Sequence, residues 1–183
     1  MLTLVTAAAA PVVSLTEAKA HLNVTHSDDD DLIQLYLDAA IAHVDGAEGV
    51  LGRCLVTQEW DYTLDEFCNV LKLPLPTLQD VTSITYRDGL SDVQTVNAAD
   101  YMVAGQRITA PDGWPDTDGY LGAVTVRFTA GYGDTAADVP AAIKAAILLL
   151  VGDAYANREA SGEQLFDNPS VKRLLAPYKV WRA

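Results

Sequence analysis

Positive charge is what this chain has least of. Its 183 residues include 12 Lys and Arg against 25 Asp and Glu, a formal net charge of -13. Proteins that grip nucleic acid displace phosphate counterions with basic side chains, so this imbalance argues against a direct DNA-binding role. Cysteine is almost missing as well. Cys54 and Cys68 form no CxxC pair and have no histidine at ligand spacing, which speaks against structural zinc and for reduced thiols in a cytosolic compartment. A chain of this length buries enough apolar surface without crosslinks. No basic residue precedes Lys19, so the apolar start MLTLVTAAAAPVV lacks the charged lead of a secretory signal and reads as an extended arm or strand. Long apolar runs are absent too: the longest stretch, 141–151, contains Lys144 and falls well short of the roughly 20 residues of a membrane span. Catalytic signatures are missing in turn. There is no G-x-S-x-G, Walker A, H-E-x-x-H or G-x-G-x-x-G pattern, and the three histidines, His21, His26 and His43, all lie near the N-terminus. Nothing points to an enzyme, a cofactor or a bound metal.

What is present falls into three blocks. Ser14-Leu15-Thr16-Glu17 has capping-box spacing, which predicts a short helix over 15–22. Asp28 to Asp31 then open a longer one. Four successive aspartates point about 100° apart on a helix and do not converge on one cation, whereas negative charge suits the unpaired amides of a first turn. Leu32, Ile33, Tyr36, Leu37, Ala40, Ile41 and Val44 follow at spacings of three and four, and Gly46 and Gly49 close the pattern. From residue 54 to 130 the chain turns rich in Val, Thr, Ile and Tyr broken by Pro, Gly and Asp, the composition of short strands joined by turns. Strands are expected near 54–64, 69–73, 80–87, 92–96, 100–103, 106–109 and 122–130. Arg87-Asp88-Gly89 reads as a hairpin turn, and Pro111-Asp112-Gly113-Trp114-Pro115 as a longer loop carrying an aromatic. Asp116-Thr117-Asp118-Gly119 starts like a calcium loop but lacks a bidentate Glu at the twelfth position.

The third block begins at Gly131-Tyr132-Gly133. Asp138 reads as a helix cap and Pro140 as a first-turn residue of a helix lasting to about residue 158. Its inner face would hold Ile143, Ile147, Leu150, Val151 and Ala154. Leu148 and Leu149 carry apolar character around the cylinder, so this helix is expected to be covered on most sides, by its own core or by a neighbouring subunit. A short helix over 169–175 precedes a basic end. Lys172, Arg173, Lys179 and Arg182 fall in the last seventeen positions against a single acid, Asp167, leaving 8 basic and 24 acidic residues elsewhere. The reading is α+β: a small helical bundle from 1–53 and 131–183, with an antiparallel β unit inserted over 54–130.

In order and character these segments resemble the head-tail connector, or adaptor, family of tailed bacteriophages and related gene transfer particles. SLTEAKAHLNV followed by SDDDDLIQLYLDAAIAHVDGAEG carries the first half of the resemblance, and FTAGYGDTAADVPAAIKAAILLLVGDAYANRE the second. The β-rich middle fits the longer members with an inserted β unit. The resemblance implies a structural protein of the virion neck, assembled in the host bacterial cytoplasm. It implies a dodecameric ring under the portal protein that extends the DNA channel, lets DNA pass without specific binding and docks the next neck or tail-completion protein. No membrane is involved. Lys172, Arg173, Tyr178, Trp181 and Arg182 are then the candidates for portal docking, because Trp, Tyr and Arg anchor interfaces. Ile143, Ile147, Leu148, Leu149 and Leu150 are candidates for core or subunit packing, and Trp114 for the downstream contact. The alternatives are a soluble β-rich ligand-binding or hydrolytic domain, and another neck protein such as a stopper or tail terminator.

Overall fold

The computed structural model describes residues 1–158 and 168–180. They form two compact units. One comprises residues 1–9 and 57–131, the other residues 10–56 and 132–183.

The β unit holds a five-stranded antiparallel sheet of order β1-β2-β8-β4-β5, built from β1 (Leu2–Thr6), β2 (Gln58–Leu64), β4 (Leu78–Arg87), β5 (Val93–Thr95) and β8 (Val124–Ala130). A three-stranded sheet of order β3-β7-β6 uses β3 (Leu71–Lys72), β6 (Met102–Ala104) and β7 (Arg107–Thr109). β8 is central. Its Val124, Val126, Phe128 and Ala130 are buried while the residues between them are half-exposed, the period-two alternation of a strand with one face in a core. The register sets Phe128 opposite Trp60 and Arg127 opposite Asp61. On the outer face Arg127 donates two bonds of 2.8 Å to the Asp61 carboxylate, a fork geometry that fixes the strand register.

Two boundaries differ from the sequence reading. The N-terminal arm belongs with the strands, because β1 pairs with β2 and the Met1 ammonium donates to the Thr63 carbonyl at 2.6 Å. Conversely, the strand expected from residue 54 starts at Gln58. Cys54, Leu55 and Val56 are buried in the helical unit. There the Leu55 amide donates to Asp45 at 2.8 Å and its carbonyl accepts from Tyr132 at 3.0 Å.

The helical unit contains α1 (Leu15–Leu22), α2 (Asp30–Val44), α3 (Ala141–Ala156) and α4 (Pro169–Leu175), with α3 packed against the other three. The capping box at α1 forms: Ser14 Oγ accepts from the Glu17 amide at 3.2 Å, and the Glu17 carboxylate accepts from the Ser14 amide at 2.8 Å. The core is drawn from Ile33, Leu37, Ala40 and Val44 of α2 and from Ile143, Ala146, Ile147, Leu150, Val151 and Ala154 of α3. Burying each large aliphatic side chain contributes about 1.5–3 kcal/mol.

The entry to α3 departs from expectation. Asp138 does not cap it. Asp138 instead closes a capping box in the preceding 3₁₀ turn, its carboxylate accepting from the Thr135 amide at 3.0 Å and hydroxyl at 2.8 Å, and Pro140 is the N-cap of α3. The glycine at 133 also has a different reason from a positive φ: a Cβ there would lie 2.5 Å from the Asp138 carboxyl group. Gly131 does take a positive φ, of 148°.

Candidate docking surfaces

The helical unit closes around a carboxylate that helix-start chemistry alone does not explain. Asp29 is the N-cap of α2 yet makes no capping bond. It receives the Tyr155 hydroxyl from α3 and, at 2.7 Å, the Arg158 guanidinium, which also lies 4.4 Å from the Tyr155 ring centroid. These donors, the tyrosine hydroxyl first, hold the Asp29 carboxyl below its usual range. Asp30 pairs with Lys19 of α1. Two aspartates of the acidic run therefore tie α2 to α3 and to α1, a role visible only once the helices are packed. Among the described residues no group of three or more His, Cys, Asp or Glu is placed to hold a metal ion. No helix among them is long and apolar enough to cross a membrane.

At the C-terminal end, Asn168 caps α4 by accepting from the Ser170 amide at 2.9 Å and donates to the Asp153 carboxylate at 2.7 Å. Val171 and Leu175 are buried, which turns Lys172 and Arg173 outward. Tyr178 is half-buried in the 3₁₀ turn that follows, and the Val180 amide donates to the Leu51 carbonyl at 2.9 Å. The chain is thus laid against its own unit as far as residue 180. Trp181 and Arg182 lie outside the described residues. On α3, Ile143, Ile147 and Leu150 are buried within the chain, while Leu148 and Leu149 on its flank are only half-buried.

The third surface is one end of the five-stranded sheet, where three loops meet. They follow β2 (residues 65–70), join β4 to β5 (88–92) and precede β8 (110–123). The hairpin is not the tight turn that Asp88-Gly89 suggests. The Asp88 carboxylate accepts from the amides of Leu90 at 2.9 Å and Asp92 at 3.1 Å and from the Gln94 side chain at 2.9 Å, while Ser91, not Gly89, takes the positive φ of 66°. Those donors, Gln94 first, hold Asp88 below the usual carboxylate range. The Asp118 amide donates to the Arg87 carbonyl at 3.0 Å. Its nearly buried carboxylate lies 3.1 Å from Arg87 Nε, an ion contact without hydrogen-bond geometry. The Arg87 guanidinium sits 5.6 Å from the Tyr120 ring centroid. Asp65 accepts from the Gly122 amide at 2.8 Å.

Trp114 does not stand free in this loop. Its indole is stacked on Phe67, with centroids 4.6 Å apart and planes 2° from parallel, and Phe67 meets Tyr86 edge-on at 5.8 Å. The indole N–H is buried without a hydrogen-bond partner. The most exposed large apolar groups of this end are others: Leu90, Leu121, Val93 and Tyr120, at 84%, 84%, 71% and 65% exposure. Sequence reasoning passed them over, although Tyr-Leu between two glycines in an otherwise polar, turn-rich stretch was a usable signal.

Three comparisons bear on this architecture. Residues 12–74 match the family of phage gp6-like head-tail connector proteins. Over 48 residues, 26% of the chain, it is 42% identical to the head completion protein gp6 of Enterobacteria phage HK97, and the match spans 44% of that protein's length. Over its full length the chain is similar to a chain from the neck of an empty gene transfer agent particle computed with C6 symmetry, with TM-score 0.81, 24% identity and 97% of that chain covered. A chain from the neck of the native particle, computed with C12 symmetry, gives TM-score 0.78 at 24% identity, again over all of this chain and 97% of the other. A chain of the native virion gives 0.77 at 25% with the same coverage.

Proposed function

We propose that this chain, which carries the sequence pattern of gp6-like head-tail connectors over residues 12–74 and the fold of a gene transfer agent neck subunit over its whole length, is a structural head-tail connector of a phage or related particle. The observation that carries the proposal is the full-length likeness to chains of particle necks, joined to an independent sequence match over residues 12–74. Its finer reading is a ring of subunits, twelve in the particle, beneath the portal protein. The ring extends the channel and receives the next neck protein. The acidic balance of the chain suits a channel through which DNA slides without adhering.

Each of the three surfaces has a place in this reading. The exposed cations Lys172 and Arg173, with Tyr178 and the adjoining Trp181 and Arg182, form the portal-facing segment. Leu148 and Leu149 of α3 face the neighbouring subunit. The loop around Trp114 points to the downstream protein, with the indole as an internal prop of the loop and its exposed neighbours as the contact. The protein acts as scaffold, not catalyst, and is assembled in the host cytoplasm.

Electron microscopy of particles from a strain lacking the gene tests the proposal. DNA-filled or leaking heads beside free, complete tails are expected. Normally joined particles would overturn it.

A further inference from the structure

The loop end of the β unit combines two features that rarely coexist on a surface without a partner. Leu90, Val93, Tyr120 and Leu121 are each more than three-fifths exposed, and large apolar side chains exposed together at one end of a sheet point to an interaction site. They belong to one neighbourhood: Val93 pairs with Arg87 across the hairpin, Leu90 sits on the hairpin's loop, and Tyr120 lies against the Arg87 guanidinium. The loops presenting them are held by Asp65, Asp88 and Asp118 through the bonds described above, so little ordering remains to be done on binding. The same three loops carry the exposed acidic residues Glu66, Asp92, Asp112 and Asp116. Arg87, at the end of β4, lies in ion contact with Asp118.

We infer that this end of the β unit is a docking surface for another protein that presents an apolar socket rimmed by Lys and Arg. These carboxylates repel nucleic acid and anionic lipid, and the exposed apolar groups exclude a purely electrostatic contact. A second copy of the chain is a poor match, since outside its last seventeen positions it carries 24 acidic residues against 8 basic ones. The surface is the one assigned above to the downstream contact; the inference rests on that assignment for its place and adds the chemistry of the partner, and the test separates the two.

The test is a photo-crosslinking amino acid at Leu121, which is exposed and therefore leaves the fold intact, with the same residue at Leu35, exposed on α2, as control. The full chain is expressed in the producing cells during particle assembly, and the crosslinked peptide is identified by mass spectrometry. A crosslink from position 121, absent from position 35, to a peptide of net positive charge is expected. Replacing the four exposed loop carboxylates (Glu66→Gln, Asp92→Asn, Asp112→Asn, Asp116→Asn), which leaves the loop-holding aspartates untouched, should lower its yield about tenfold. A crosslink to residues 168–183 of a second copy, to an acidic peptide, or none at all would overturn the inference, as would a yield indifferent to the four carboxylates. A basic partner that is not a particle protein would uphold the surface while sinking the connector reading.

Discussion

Two glycines show how single positions are decided by what a side chain would meet. Gly152 lies inside α3, where glycine is a poor helix former, and a Cβ there would meet only the His21 imidazole at 3.5 Å, an ordinary contact. Gly152→Ala is expected to stabilise the protein by about 0.5–1 kcal/mol, read as a higher urea midpoint. At Gly133 the added methyl group would strike the Asp138 carboxyl group at 2.5 Å and break the box with Thr135. Gly133→Ala should therefore lower the melting temperature, and a variant that melts as the parent does would show that the box is dispensable. Why position 133 is glycine was not legible in the sequence, since the space it leaves is filled by a side chain five residues on. The same holds for Asp29. The sequence marks it as helix-start charge, yet its partners Tyr155 and Arg158 are more than 120 residues away.

Among the elements, the helices were the most legible, because cap, period and stop are local. The box at α1 and the three-and-four spacing of α2 both appear where the sequence puts them. Ser14→Ala should cost about 1 kcal/mol in denaturant unfolding, since it leaves a first-turn amide unpaired. For α3 the sequence told that the helix is apolar nearly all round, not which residues its own chain covers. Ile147, fully buried, should cost about 2–5 kcal/mol on replacement by alanine. Leu148, half-buried, separates packing from assembly: Leu148→Asp should leave the melting temperature of the monomer within a few degrees of the parent while weakening self-association measured by light scattering. Equal association in both proteins would remove this flank from the proposed subunit contact. The hairpin after β4 was the least legible element, since its shape depends on Asp88 accepting from three donors at once.

For the whole molecule the pH response follows from the direction of several shifts. Glu17, Asp29, Asp88 and Asp138 are held below their ordinary ranges by hydrogen bonds made only in the folded chain. Their contribution is full above the ordinary carboxylate range of about 4 and is lost as the pH falls through their lower folded values. His43 is also lowered, by burial, so the unfolded chain takes up its proton first, below about pH 6.5. Both effects run the same way, and stability should be flat from pH 7 to 8, decline gently below 6.5 and fall steeply under 4; a melting temperature that rises on acidification would contradict this. The sequence by itself determined the charge balance, the helices and the β-rich composition of the middle, because charge, period and cap are properties of neighbouring residues. Only the tertiary structure decided that residues 2–6 join the sheet, that Cys54 to Val56 belong to the helical unit, that Asp29 ties two helices, and that Trp114 props a loop while Leu90 and Leu121 face outward. Each of these depends on groups distant in the chain meeting in space, and no local pattern records such a meeting.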